Sequence, residues 1–317
     1  MHIRKKALSF GAVAFVFGLT AIVSAAAQAP ATPPSNLAPA PRVTVAPLSA
    51  PRDTIYLASG STASNNGIIV GDAGVILVDT GVSTDSEKLE LAEIAKLTPK
   101  PITTAILTHS DADHVNGLAV LPAGIAIIAQ ANCKKEMEDA ANAPQRGPAP
   151  QTPALPIPLP TKTVDLRDAK TIGGVRFEFL HVAPAHTSGD LVVYLPDDKI
   201  VFTGDIIADN MPYPLIHLEK NGSSEGWIET VSAILQLDAD KFVPGHGTVH
   251  TKAEIQQRLA SAKERRAEIQ SLVAQGKTLD EIKQQLGESA PPAPVGARGL
   301  HFASFTEVVY QELTKKN

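Results

Sequence analysis

A short polar segment in the first half of the chain carries four side chains that can bind a metal ion. The segment Thr108–His114 contains His109, Asp111, Asp113 and His114, and it directly follows an apolar run. Imidazole nitrogens and carboxylate oxygens are the usual protein ligands of zinc and related divalent cations. Loops at strand ends can aim such groups at one centre. The segment therefore predicts a metal site.

Three later segments place the same types of side chain at the ends of apolar runs. They contain His186 in Ala185–Asp190, Asp205 at the end of an apolar stretch, and His246 between two glycines. An isolated histidine cluster is also compatible with a solvated turn. The recurrence of His and Asp at four strand-to-loop junctions favours a shared metal centre instead.

Taken in order, these segments resemble the metallo-β-lactamase superfamily over most of the chain. Asp79 is similar to the family's first motif, and residues 109–114 are similar to its His-x-His-x-Asp-His signature. His186, Asp205 and His246 resemble the remaining three motifs. The resemblance implies an α/β fold, a four-layer αββα sandwich, with a metal site at the edge where its two sheets meet.

The resemblance also implies ligands for two divalent ions. They are His109 and His186 for the first ion, Asp113, His114 and His246 for the second, and Asp205 as a bridge. Asp111 stands where the family has a second histidine, and a carboxylate can still complete the first set. Its negative charge predicts a weaker Lewis acid that better tolerates harder ions, so zinc is our first choice and Mn²⁺ or Fe²⁺ are the alternatives.

Such a centre implies hydrolysis by a metal-bound hydroxide of a small-molecule ester, thioester, lactone or amide. Asp113 is expected to orient the nucleophile as well as to bind metal. Asp205 argues against a periplasmic β-lactamase, because the subclass with the most similar motifs has a cysteine there. That activity stays an alternative, as does a non-hydrolytic metal-binding or redox protein on the same fold.

The remaining polar candidates have weaker signals. Asp79 and Asp190 are expected either to support the ligand loops by hydrogen bonds or to be ordinary strand-end and turn residues. Several other histidines lack a companion at ligand spacing and are predicted to be surface or locally hydrogen-bonded groups; these are His181, His217, His250 and His301.

The N-terminal region predicts export. A basic start, the apolar run Ala7–Val23 and a small-residue stretch form a signal peptide over residues 1–27, with cleavage after Ala27. A Pro/Ala-rich linker over 28–52 and a hydrolase domain with a C-terminal helical extension over 53–317 are predicted to follow. The expected product is a periplasmic protein without a membrane anchor.

Composition and patterning complete the prediction. The net charge of −5 disfavours nucleic acid as a partner. Cys133 is the single cysteine, so no intrachain disulfide can form. Runs of short strands, each set followed by helices, indicate two similar α/β halves. Capping-box patterns predict helix starts at Thr84, Thr251 and Thr278, and residues 143–160 are predicted to form a proline-rich surface segment.

Overall fold

The computed structural model describes residues 41–48, 54–143, 155–209, 211–288 and 303–315. Residues from Pro41 onward form one compact unit. The predicted signal peptide and the first part of the predicted linker lie outside the described residues, as do residues 144–154 of the proline-rich segment. Among the helices described, none has the length and apolar character needed to span a membrane.

The described chain alternates sets of strands with helices. The strands are β1 (Val43–Pro47), β2 (Ile55–Gly60), β3 (Asn66–Val70), β4 (Val75–Val78), β5 (Ile102–Ile106), β6 (Ala126–Gln130), β7 (Lys162–Val164), β8 (Arg167–Ile172), β9 (Val175–Leu180), β10 (Val192–Leu195), β11 (Ile200–Ala208) and β12 (Lys241–His246). The α-helices are α1 (Thr84–Leu97), α2 (Ala112–Val115), α3 (Ala131–Asn142), α4 (Ser224–Ile234), α5 (Lys252–Ala274), α6 (Leu279–Gln285) and α7 (Phe305–Thr314). Short 3-10 helices span Asn116–Val120 and Leu218–Lys220.

The strands form two sheets. The first has the order β1-β2-β3-β4-β5-β6-β7, and the second has the order β12-β11-β10-β9-β8. Strands β1 to β4 pair antiparallel, whereas β4 to β7 pair parallel. In the second sheet only the β11–β12 pair is parallel. Parallel neighbours deliver the residues that follow them to the same edge of a sheet.

Apolar side chains from both sheets meet in a central core. Ile76 and Ile106 of the first sheet and Phe177 and Phe202 of the second belong to one buried cluster. Other clusters pack α1 and α3 against the outer face of the first sheet, and α4 to α7 against the second. The layers are therefore helix, sheet, sheet and helix, as predicted, and central strands such as β4 and β11 are buried on two faces.

Most predicted helix starts are correct. The hydroxyls of Thr251 and Thr278 cap α5 and α6 in capping boxes with the glutamates three residues on. Helix α1 has its capping residue one position earlier than predicted, because Ser83, rather than Thr84, is its cap and pairs with Ser86. A serine at the third helical position can return the same backbone hydrogen bond as the expected glutamate.

The predicted linker 28–52 is too long at its C-terminal end. Residues 43–47 form β1, an edge strand that pairs with β2. Val43 and Val45 pack against the cluster under α1, and this burial outweighs the extended, solvated preference of the surrounding prolines. Pro47 is tolerated because an edge strand leaves one row of N–H groups unpaired.

Candidate metal centre

The candidate ligands meet at one edge of the two sheets. His109 follows β5, and His114 lies in the short helix α2. Asp205 lies inside β11, where the register with β12 shifts, and His246 is the last residue of β12. His186 lies in the turn between β9 and β10. The parallel pairs β4–β5 and β11–β12 thus bring residues distant in sequence to one point.

The first group of ligand atoms contains His109, Asp111 and His186. These atoms lie within 4.8 Å of one another, a spacing that a single divalent cation can bridge. The Oδ2 atom of Asp111 is 3.7 Å from the His109 Nε2 atom and 3.3 Å from the His186 Nε2 atom. The carboxylate at the variant position of the signature therefore points into the centre, with the two imidazoles.

The second group contains Asp113, His114 and His246, and it meets the same spacing. The Oδ2 atom of Asp113 is 3.2 Å from the His246 Nε2 atom and 3.9 Å from the His114 Nε2 atom. Asp205 lies between the groups, with Oδ1 3.4 Å from the His114 Nε2 atom and Oδ2 3.9 Å from the His186 Nε2 atom. This position fits a bridging carboxylate.

Several inward-facing atoms are buried without a hydrogen-bond partner in the described part of the chain. They are Nε2 of His109, Nε2 of His114 and Oδ1 of Asp205. Burying polar atoms without partners is costly, and a cation bound by all three would remove that cost. These residues therefore fit a divalent metal ion.

The outward-facing imidazole nitrogens are held by other contacts. His186 Nδ1 donates to the Leu215 carbonyl at 2.8 Å, and His246 Nδ1 donates to the Ala63 carbonyl at 2.9 Å. His114 Nδ1 lies 2.9 Å from Asp79 Oδ2. Such contacts orient the ring and leave Nε2 for the metal.

Asp79 supports the centre without entering it. Its carboxylate accepts hydrogen bonds from the backbone N–H and the hydroxyl of Thr108, at 2.8 and 2.7 Å, besides its contact with His114. Gly245 permits a close approach on the other side, because a Cβ atom there would lie 1.9 Å from Asp205 Oδ1. The loop-supporting role predicted for Asp79 agrees with these hydrogen bonds.

Electrostatics in the centre favour carboxylates and protonated imidazoles when no metal is bound. Burial alone raises the pKa of Asp205, but the charge of the neighbouring His114 holds it well below its usual range. Burial lowers the pKa of His186, whereas the hydrogen bond and charge of Asp111 and the charge of Asp205 raise it to about 9. Similar contacts raise the pKa of His246 to about 10. The carboxylates are thus ionised, and a cation that binds between them displaces protons from the imidazoles.

Two further residues reach Asp111, and the sequence reasoning missed both. The His217 Nε2 atom is 3.2 Å from Asp111 Oδ2, and the Lys220 ammonium contacts Asp111 Oδ1. His217 was predicted to be a surface or locally hydrogen-bonded group, and its Nδ1 atom does contact Glu219 Oε1 at 2.5 Å. Its second contact, with Asp111, was not expected, because Asp111 is more than a hundred residues away in sequence. The one hint in the sequence was that a histidine and a lysine, His217 and Lys220, lie three residues apart.

The other predicted polar residues stay outside the centre. His181 Nδ1 contacts the Asp190 carbonyl at 2.8 Å, and His250 Nε2 contacts Asp209 Oδ1 at 2.6 Å, so both are locally hydrogen-bonded as expected. The Asp190 carboxylate binds the backbone N–H and hydroxyl of Thr187, which stabilises the turn that carries the ligand histidine. His301 lies outside the described residues.

Comparison with known proteins identifies a family and relatives by sequence. Residues 60–246 match the family described as the metallo-beta-lactamase superfamily. A linear primary-alkylsulfatase from Pseudomonas sp. is 26% identical over 223 residues, which make up 57% of this chain and 40% of that protein. The match therefore spans less than half of that relative.

Solved structures share the fold. A stereoselective inverting sec-alkylsulfatase from Pseudomonas sp. has a TM-score of 0.66 and 19% identity, covering 82% of this chain and 49% of its own. A metallo-beta-lactamase from Pontibacter korlensis has a TM-score of 0.58 and 20% identity, covering 70% of this chain and 99% of its own. At these identities the likeness shows the fold alone.

Proposed function

Because this chain belongs to the metallo-β-lactamase superfamily, we propose that it is a metal-dependent hydrolase of a small-molecule ester, thioester, lactone or amide. The main support is the convergence of buried ligand atoms without partners, above all those of His109, His114 and Asp205. A structural polar cluster would satisfy these atoms internally. Relatives named as sulfatases and β-lactamases indicate that hydrolysis is common on this fold.

The centre would hold two divalent ions, with zinc as our first choice and Mn²⁺ or Fe²⁺ as alternatives. His109, Asp111 and His186 would hold one ion, and the Asp113, His114 and His246 group the other, with Asp205 between them. Bound ions of this kind lower the pKa of water and polarise the bond that is attacked.

The chain's own residues then orient the reaction. The side chain of Asp113 is 32% exposed, against 5% for Asp205, so Asp113 is the carboxylate best placed to accept a hydrogen bond from an attacking water molecule.

Near the His246 loop lies a cleft of about 580 Å³ lined by Met211, Pro212 and Arg258 among others. It joins that loop through Asp209, whose backbone N–H donates to the His246 carbonyl at 3.1 Å. None of the candidate ligands lines this cleft, so it lies beside the centre.

A second candidate reaction is the hydrolysis of a sulfate ester. The observation that favours it is the similarity to the primary alkylsulfatase, which is higher than that to the β-lactamases matched at 23% identity. Hydrolysis of β-lactams is a weaker candidate, since Asp205 replaces the cysteine on which the most similar subclass depends.

Metal analysis together with a substrate panel tests these proposals. Protein purified without chelator should contain up to two transition-metal ions per chain. Nitrocefin, a thioester, a lactone and an alkyl sulfate should then be assayed with the wild type and with His114→Ala. Metal-dependent turnover of one of them that His114→Ala abolishes supports the proposal. A protein that binds no added zinc would overturn the hydrolase assignment, and bound metal without turnover would favour the non-hydrolytic alternative.

We further propose that the mature protein is exported to the periplasm after cleavage at Ala27, on the signal-peptide pattern of residues 1–27. Intact-mass measurement on protein from the native host should give a chain starting at Gln28. A mass that retains the first 27 residues, together with recovery in the membrane fraction, would contradict export as a soluble protein.

A further inference from the structure

The residues that surround Asp111 come from a segment far along the chain. In this segment, His217–Gly222, the His217 N–H donates to the His186 carbonyl at 2.8 Å, and the Lys220 carbonyl accepts from the Ser188 N–H at 2.8 Å. Gly222 allows this close packing, because a Cβ atom there would lie 2.3 Å from the His186 carbonyl oxygen. The segment is therefore fixed to the turn that carries a metal ligand.

Each carboxylate oxygen of Asp111 contacts a side chain of this segment. The Lys220 ammonium contacts Oδ1 and also donates to the Ser110 hydroxyl at 2.8 Å. The His217 Nε2 atom is 3.2 Å from Oδ2, the oxygen that faces His186. The Lys220 side chain is only 26% exposed and the Asp111 side chain 14% exposed, so solvent screens this pair less than a surface pair.

A glutamate in α3 extends these contacts to both ligand loops. Glu136 accepts from the Ser110 hydroxyl at 2.5 Å and from the Ser188 hydroxyl at 2.7 Å. Ser110 precedes Asp111, and Ser188 follows the His186 turn. Lys220 contacts the Asp111 carboxylate, Ser110 and, through its carbonyl, Ser188. It thus connects the parts of the first ligand group.

We propose that Lys220 is a positioning residue for the first metal site, which it completes by holding the Asp111 carboxylate in place of the imidazole that the family signature has there. One oxygen binds the ammonium, and the other, which His217 also contacts, faces His109 and His186. The positive charge of Lys220 also offsets the negative charge that the aspartate introduces. The inference rests on the proposed two-metal centre, and it adds a residue that the family signature does not contain.

Metal titration of Lys220→Met tests the proposal without any substrate. Loss of a residue that holds a metal ligand in position should weaken binding of the first zinc ion by roughly 10- to 100-fold. Binding of the second ion should change by less than about twofold, because its ligands are not contacted by Lys220. Lys252→Met is the matched control, since that half-buried ammonium donates to the Leu237 carbonyl away from the centre. Unchanged or tighter binding of the first ion in Lys220→Met would overturn the proposal.

The same substitution in an Asp111→His background separates positioning from a general role in folding. An imidazole at position 111 needs no ammonium to hold it. In the Asp111→His background, Lys220→Met should therefore change the affinity for the first zinc ion by less than about twofold. An equal loss in both backgrounds would overturn the proposal. Wild-type protein that binds no zinc would overturn the proposed function with it, whereas a two-zinc wild type and an unaffected Lys220→Met would overturn the role of Lys220 alone.

Discussion

Carboxylates are buried in two regions of this protein, and they have opposite surroundings. At the metal centre, Asp111 and Asp205 face several imidazoles, and these partners hold their pKa values well below the usual range despite burial. In α1, Glu87 and Glu90 are fully buried, and no ion pair to either is found in the described part of the chain. Burial therefore raises the pKa of Glu87 well above its usual value and that of Glu90 to about 7.

The difference shows that burial alone does not determine the charge of a carboxylate. Burial and the charge of Asp79 raise the pKa of Glu90, and its one hydrogen bond, from the Asn66 side chain at 2.6 Å, offsets this only in part. Asp205 is as deeply buried but lies between His114 and His246. The first region is built to keep carboxylates ionised for a cation, and the second is built to keep them protonated.

The largest effect is expected from removing Asp205, the carboxylate proposed to lie between the two metal ions. Asp205→Ala should lower the metal content from two ions to below one, because the atom between His114 and His246 is lost. The kcat/KM for the identified substrate should fall by about 10³-fold or more, equivalent to about 4 kcal/mol. Elemental analysis and steady-state kinetics measure both, with the exposed Asp238→Ala as control. Retention of two ions would show that Asp205 is not the bridge.

Neutralising Glu90, a buried carboxylate in α1, should stabilise the protein at high pH rather than impair it. The folded state keeps the Glu90 proton up to a pKa of about 7 while the unfolded state releases it near 4.5, so stability falls as the pH rises between these values. Relative to pH 4.5, Glu90→Gln should gain about 3 kcal/mol over wild type by pH 8. Urea denaturation at both pH values measures the difference, and Glu93→Gln on the outer part of the same helix is the control. A pH-independent difference would contradict the assignment of Glu90 as a protonated group.

The protonated imidazoles predict a steep pH dependence of metal binding. With pKa values of about 9 and about 10, His186 and His246 carry protons at neutral pH when no metal is bound, and a metal must displace them. Zinc affinity should rise by up to about 100-fold per pH unit between pH 6.5 and 8.5, tenfold for each displaced proton. Competition with a chromophoric chelator measures the slope. Glu90→Gln should leave the slope unchanged, and a pH-independent affinity would refute the predicted protonation.

The smallest expected effect tests the variant position of the signature. Asp111→His removes one negative charge from the first group, so the water activated there should become more acidic. The pH at half-maximal kcat/KM should move down by about one unit, and zinc should be preferred more strongly over manganese. Asp111→Ala should instead weaken binding of the first ion and leave the second ion partly bound. Profiles that overlay the wild type would place Asp111 outside the metal groups.

The sequence was sufficient to nominate the candidate ligands because their signals are local. His109, Asp113 and His114 follow one apolar strand at a fixed spacing, and His246 follows another. Apolar runs specify buried strands, and the carboxyl ends of parallel strands meet at one edge of a sheet. The capped starts of α5 and α6 could be predicted from local patterns too, whereas the αββα layer order was implied by the resemblance to the family.

Only the tertiary structure decided what surrounds those ligands. The contact of Asp111 with His217 and Lys220 links positions more than a hundred residues apart, through hydrogen bonds between two loops that no sequence period encodes. The burial of Glu87 and Glu90 in a helix with polar neighbours in sequence also depends on which face of α1 packs on the sheet. The edge strand at 43–47 likewise forms because β2 is there to pair with it. Long-range pairing sets the charge and burial of each of these groups, and a local pattern does not contain that information.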